Sequence, residues 1–592
     1  MQKVKVVMPY MAAGAVRGPT LAAGALVLSL LACADLPSPP GTESTPTTQA
    51  PAAAADSKPA AEAASVIRAR LLEDLDPERA TPAPTGFERV DLKTLYEADG
   101  YAPLWISGTG WPSANARAAL TLIEDAAADG LDPADYGLAR LGDLARALDA
   151  APAPKAEELA AFDMAMSAGV LRYFRHLHLG RVDPHAIGFK LSVPADEHDF
   201  VALLRAAIAD RRLPEAAAGL APPLAQYRAL RDMLARYRLL DSDMRRDAPP
   251  PPAATVHPGE PYARLQALHR QLVAFGDLPL ETAAPPGGAV YEEPFVAGVK
   301  RFQDRHGLDV DGILGKATQS ALRVPLAWRI RQIELALERL RWLPDLGDQR
   351  FLALNIPMFH LWVWDSIPPS GAPSFGMRAI VGRALDTQTP VFVEEMRSVI
   401  FRPYWNVPRS ILRTEILPIL ARDPDYLRRQ DMEIVQGPGD DARPVDPTPE
   451  HLALLGQGAL RLRQRPGPRN ALGLVKFVFP NDENVYLHGT PARQLFSRAR
   501  RDFSHGCVRV EDPVALAEWV LKEQPEWTRG RILAAMSGTK PQGVNLLRPI
   551  QVILFYTTAV VMPEDGTIRF AEDIYQHDMK LDRALARQPS TR

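Results

Sequence analysis

Cys507 is one of only two cysteines in a chain of 592 residues, and it stands in the run YLHGTPARQLFSRARRDFSHGCVRV, residues 486–510. His488 and His505 precede it, with Ser504, Gly506 and Arg509 as near neighbours. Together these residue types suit nucleophilic acyl transfer. A thiolate attacks a carbonyl carbon, an imidazole moves the proton, and backbone N–H groups take the negative charge that develops on oxygen. Gly506 leaves the backbone uncrowded beside the sulfur, so a substrate carbonyl can approach the N–H groups there. Either histidine could be the base, and His505 could instead fix its loop by hydrogen bonds. Arg500, Arg501 and Arg509 could hold carboxylates, although runs of charge are commonly solvated faces. A zinc site is the rival reading. His488, His505 and Cys507 lie 17 and 2 residues apart, the spacing of no common zinc site, and no fourth ligand is evident. Neither a metal nor another cofactor is expected.

Extended segments must present these groups. In NVYLHGT the period of two puts Val485 and Leu487 on one face and Tyr486 and His488 on the other. In HGCVRV it puts Cys507 and Arg509 on one side, with Val508 and Val510 toward the core.

The N-terminus sets the compartment. Lys3, Lys5 and Arg17 precede the apolar run LAAGALVLSLLACA, residues 21–34, which is short for a membrane span and has the proportions of a secretory signal. LLAC at 30–33 resembles a lipobox that would leave Cys33 lipidated, ACA at 32–34 fits ordinary cleavage, and an uncleaved anchor is the third reading. All three put the chain outside the cytoplasm. Exported proteins usually pair their cysteines, yet the only partner for Cys507 is Cys33. A solitary thiol in an oxidising compartment is a liability unless it performs chemistry. A formal net charge of −3 shows no basic bias and argues against nucleic acid as a partner.

Composition divides the rest. Residues 35–64 are rich in Pro, Ala and Thr and read as a disordered tether. From 65 to 255, apolar residues recur at three- and four-residue spacing, as in EELAAFDMAMSAGVLRYFRHLHLG, and predict a helical scaffold whose Gly130 and Gly180 are left-handed caps. His176 and His178, two apart on a helix, point to different faces and are not a metal pair. A Pro-rich linker at 248–258 precedes a compact unit, 256–324. There Phe295, Val299 and Phe302 share a helix face, Gly307 ends that helix and Asp311-Gly312 makes a turn. Residues 325–348 predict a connecting helix, and 349–562 a β-rich domain whose strands are apolar on both faces. Segment 405–470, polar, Pro-rich and partly helical, with Tyr404 and Trp405 at its edge, is too long for a passive loop and reads as a cap over the site with Trp405 touching substrate. Residues 563–592 read as a C-terminal tail.

Two resemblances sharpen this picture. FVAGVKRFQDRHGLDVDGILGKATQSAL, 295–322, resembles the three-helix peptidoglycan-binding module of cell-wall enzymes. HGT followed by SHGCVR resembles the catalytic signature of the YkuD-type L,D-transpeptidases. RPGPRNALGLVKFVFPN and VEDPVALA, with YAPLW, DGLDPADY and GTIRFAEDIY, resemble their large multi-domain Gram-negative branch. The resemblance implies a multi-domain α+β fold: a helical scaffold domain, a small peptidoglycan-binding module and a β-rich L,D-transpeptidase catalytic domain with an inserted capping segment. It also implies a cysteine acyltransferase of the periplasm or cell envelope, either soluble or tethered to the membrane through Cys33. Cys507 would attack the carbonyl between the third residue of a tetrapeptide stem and D-alanine, release D-alanine, and pass the thioester to a diaminopimelate amine as a 3→3 cross-link. His488 matches the family's proton donor and acceptor, and its imidazolium would favour the thiolate. His505 becomes secondary or structural, Gly506 supplies backbone beside the oxyanion, and Ser504 belongs to the catalytic set. Tyr486, Trp405 and Arg509 would contact the stem. Where the branch often has an acidic residue after the first histidine, this chain has Gly489, which leaves only a backbone carbonyl to orient His488. Water as acceptor would make a carboxypeptidase, and a lipoprotein lysine would make a wall anchor. A non-catalytic wall-binding scaffold leaves Cys507 unexplained. Stem peptides are the expected partners, with other cell-wall enzymes beside them.

Overall fold

The computed structural model describes residues 58–72, 86–107, 112–191, 198–244, 254–385 and 387–587. The signal, Cys33, most of the tether and much of the 248–258 linker lie outside the described residues. The tether does not reach 64: Lys58–Leu72 is a helix, because Ala60, Ala63, Ile67 and Leu71 form an apolar stripe that is buried. It packs on Ala156–Leu179, the central helix of the scaffold, whose apolar residues are buried around most of its circumference. Inside this bundle the Asp163 carboxylate accepts from Tyr96 Oη at 2.7 Å and from the Leu104 and Trp105 amides at 2.9 and 2.8 Å. Burial pushes its pKa up to about 6 against these hydrogen bonds. Gly130 is a left-handed cap (φ 70°). Gly180 is not, for its φ of 82° comes with ψ of 173°. A Cβ there would lie 2.7 Å from Trp342 Nε1 and 2.8 Å from Glu338 Oε1, so close packing is a second demand for glycine.

Among the described residues nine strands form one sheet in the order Asp502–Ser504, Phe375–Gly382, Val508–Val510, Leu487–His488, Val475–Val478, Phe392–Phe401, Gln542–Phe555, Phe351–Asn355 and His360–Trp364. His360–Trp364 pairs back onto Phe375–Gly382 and closes the sheet on itself. Its core includes Leu352, Leu354, Val399, Phe477, Leu487, Val508 and Val552, and is completed by Phe189 and Leu191 from the scaffold side.

Two further expectations change. Segment 405–470 is not merely polar and helical: Trp405–Asn406, Arg461–Gln464, Met432–Gln436 and Arg443–Val445 pair in that order as a second sheet. Ile411, Leu412, Ile416, Ile434, Leu455 and Leu462 give it a core of its own. Segment 563–592 is not a tail through residue 587. Ala559–Val561 pairs with Ile568–Phe570 as a hairpin, and His577–Arg587 is a helix that buries Leu581 and Leu585 in the main core.

The 256–324 unit holds three helices, Leu265–Phe275, Phe295–Arg305 and Lys316–Leu322. Its DG turn is held by the buried Gln303, whose Nε2 donates to Asp311 Oδ1 and whose Oε1 accepts from the Gly312 amide, both at 2.8 Å. Asp304 at the end of the second helix pairs with Arg569 of the hairpin at 2.9 Å.

Candidate active site

Three adjacent strands build the site. His488 faces Arg509 on the parallel strand Val508–Val510 and Lys476 on the antiparallel strand Val475–Val478. Cross-strand partners share a face, so Lys476, His488 and Arg509 form a row about 4.8 Å apart at the backbone. The alternation read from the sequence holds: Val485, Leu487, Val508 and Val510 are buried in the core, while the Tyr486 and His488 rings lie 5.7 Å apart on the other face. His488 is itself only 3% exposed. Its Nδ1 donates to the Gly489 carbonyl at 2.5 Å, because a carbonyl can only accept. In the neutral ring this leaves the lone pair on Nε2.

A braced loop carries the sulfur. Gly506 has φ of 109°, which a side chain would strain. Its carbonyl accepts from Thr389 Oγ1 at 2.8 Å and its amide donates to Ser504 Oγ at 3.2 Å. Ser504 Oγ in turn donates to the Cys507 carbonyl at 2.5 Å, and Thr387 Oγ1 donates to the Ser504 carbonyl at 3.1 Å. The half-buried Cys507 thiol donates to the Asn484 carbonyl at 3.7 Å. The Asn481 side chain fixes that turn, accepting from the Val485 amide and donating to the Val485 carbonyl.

Electrostatics at this row is governed by burial. Burial pushes the Cys507 thiol above its ordinary value of 9, against the pull of Tyr486, Lys476 and Arg509. Burial, then the Arg509 charge, bring His488 down to about 3, opposed by the Gly489 carbonyl. The imidazole is therefore neutral at neutral pH, and the expected imidazolium beside the sulfur is absent. The cations that favour a thiolate are Lys476 and Arg509. Lys476 Nζ sits 3.7 Å from the centre of the Tyr486 ring.

Residues 350–540 match the family model described as an L,D-transpeptidase catalytic domain. The chain carries an L,D-transpeptidase domain. Residues 90–234 match a scaffold domain and 262–322 a "Putative peptidoglycan binding domain". A protein of Haemophilus influenzae named "Putative L,D-transpeptidase" is 32% identical over 254 residues, 43% of this chain and 49% of that protein. The match thus spans about half the length of that curated relative.

Within the L,D-transpeptidase domain the remaining expected residues part ways. His505 turns from the sulfur's partners to Glu415 of the 405–470 insertion, with Nε2 2.5 Å from Oε1. Arg500 is held by Asp502 at 2.8 Å and Glu572 at 3.3 Å, and the buried Arg501 donates to the Ala379, Arg498, Ala499 and Phe359 carbonyls. Arg500 is thus an ion-paired surface residue, in line with the solvated-face reading, whereas Arg501 is buried and fits neither that reading nor substrate binding. Trp405 packs against the insertion's own core. Among the described residues no three His, Cys, Asp or Glu side chains gather as a metal site.

Lys476, Asn484, Thr387, Thr389 and Glu415 were not singled out from sequence. Lys476 had a signal, a lone charge within the apolar strand VKFV of a sheet covered on both faces. Asn484 acts through its backbone carbonyl, which no side-chain type announces, and Thr387, Thr389 and Glu415 lie far from Cys507 in sequence.

Proposed function

We propose that the chain is a peptidoglycan L,D-transpeptidase of the cell envelope, with Cys507 as nucleophile and His488 as the group that carries the proton. The observation that supports this most is the solitary thiol held beside Tyr486, with His488 two residues along the neighbouring strand in its Nδ1–H tautomer. The thiol proton passes to His488 Nε2 as sulfur bonds to the carbonyl carbon joining residue three of the stem to D-alanine. The Cys507 amide, which has no acceptor among the described residues, is the oxyanion donor, since the Gly506 amide is turned to Ser504. The C–N bond then breaks, His488 returns the proton to the leaving amine, and D-alanine departs. A diaminopimelate amine attacks the thioester, loses its proton to His488, and expels the thiolate, which forms the 3→3 cross-link. The 405–470 insertion covers the site and the 256–324 module holds the enzyme on the wall.

Incubating the purified chain with isolated sacculi and analysing released muropeptides by mass tests this reading. 3→3 dimers and free D-alanine are expected, and neither with Cys507→Ala. Tripeptide stems alone would identify water as the acceptor, and dimers formed by Cys507→Ala would overturn the mechanism.

A further inference from the structure

We infer that Lys476 and Arg509 form a two-cation seat, one on each side of His488, that holds the free carboxylate of the residue leaving the scissile bond. The seat would hold that carboxylate while the amine on the same Cα leaves. The inference rests on the roles proposed for Cys507 and His488.

Register supplies the first argument. Lys476 and Arg509 are the direct cross-strand neighbours of His488. The leaving residue carries its amine and its carboxylate on one Cα, so the two groups are only about 2.5 Å apart, N to carboxyl carbon. A histidine close enough to protonate the amine must therefore bring the carboxylate beside the neighbours on its own row. Those neighbours are both cations.

Charge supplies the second. Neither Lys476 nor Arg509 has a carboxylate within ion-pair distance among the described residues. Arg509 Nε is buried with no hydrogen-bond partner. Asp440 of the insertion acts on Lys476 only through space, and Arg383 adds a further positive influence on Arg509. Half-buried cations without counter-charge are costly to keep. The thiol is neutral at rest, becomes a thiolate only as it attacks, and is neutral again as the thioester. A carboxylate completes the balance against two cations, and a stem longer by one residue would place its charge roughly 3.6 Å too far along.

Two alkylating reagents of similar size that differ in charge test the seat without any substrate. The rate of Cys507 labelling by iodoacetate relative to iodoacetamide is measured by peptide mapping of the full chain and divided by the same ratio for free N-acetylcysteine. The wild type should show a preference of about tenfold or more for the anionic reagent. Lys476→Met and Lys476→Gln should bring the ratio near one, and Lys476→Arg should keep it. A wild-type ratio of one, or a ratio untouched in both neutral variants, overturns the seat. Tetrapeptide donors ending in a free acid or an amide then test its role in transfer: a preference for the acid that narrows in Lys476→Met supports it, and equal use of both donors by the wild type overturns it. A tenfold labelling preference with transfer of neither donor keeps the seat and overturns the proposed function.

Discussion

At Cys507 the balance of burial against charge leads to a pH dependence. Burial holds the thiol above 9 and holds His488 near 3, so neither group changes charge between pH 5 and 8. Labelling by neutral iodoacetamide should rise about tenfold per pH unit across that range, as the thiolate fraction does, and still be rising at pH 9. An inflection near 6.5, where an ordinary histidine titrates, would show instead that His488 carries a proton next to the sulfur. His488→Gln, which keeps the ring's approximate size but cannot carry the proton, should lower transfer by roughly 10²–10⁴-fold, read as kcat/KM on stem peptides. The faces of Tyr486, His488, Cys507 and Arg509 were legible in the sequence because alternation along a strand is a local property. The row was not. It takes the pairing of Val475–Val478 with Leu487–His488 to bring Lys476 beside His488, and no spacing within one segment encodes that partner. The imidazolium expectation failed for the same reason, since it depends on burial that neighbouring elements impose.

Among the elements, the 405–470 insertion carries most weight. Its Glu415 lies on a π-helical turn, Leu412–Ile416, and meets His505 two residues from the sulfur, while Asp440 acts on Lys476. The strands that bracket it, Phe392–Phe401 and Val475–Val478, pair directly, Phe401 with Val475, so its ends start close together. Replacing 405–470 by a short Gly/Ser bridge should therefore leave the closed sheet folded by circular dichroism. Iodoacetamide labelling of Cys507 should speed up as the sulfur is uncovered, and transfer to stems should fall by about 10² or more. Full turnover in a folded deletion would reject the cap reading. Glu415→Gln is the milder probe. An exposed pair contributes about 1 kcal/mol at most, so up to about fivefold in KM is expected, with kcat nearly unchanged. The strand texture of 349–562 was readable because both faces of those strands are apolar. The insertion's sheet was missed because its strands are short and charged, as in RLRQ, where Arg463 is buried by stacking on Tyr404 at 4.0 Å and pairing with Glu433 at 2.7 Å.

At the scale of the molecule, the segment expected as a tail ties the scaffold side to the active loop. Asp578 pairs with Arg339 at 2.5 Å, both fully buried, and accepts from Thr558 Oγ1 at about the same range. Breaking a buried pair strands a charge, so Asp578→Ala should lose about 3–5 kcal/mol in urea unfolding. Replacing both partners by apolar residues should lose much less, and equal losses would show that the charge pairing does not matter. Tyr575, three residues earlier, reaches the chemistry itself. Its hydroxyl donates to the Gly382 carbonyl at 2.6 Å and accepts from the Thr389 amide at 3.2 Å, and Thr389 Oγ1 holds the Gly506 carbonyl. Composition gave no hint of this, because GTIRFAEDIY carries little of the apolar periodicity that marks a core element. Tyr575→Phe keeps the ring and removes both hydrogen bonds, leaving two backbone groups buried and unpaired at a cost of about 1–3 kcal/mol. The loop that sets the position of Cys507 would lose its brace while every reacting group stayed in place. Transfer should therefore fall by about tenfold, chiefly in kcat, because misplacing the sulfur by a fraction of an ångström costs alignment in the transition state rather than binding. Stopped-flow acylation of the folded variant alongside its unfolding curve separates the two effects. A variant destabilised by the expected amount but acylated at the wild-type rate would show that the C-terminal segment supports the fold and not the site.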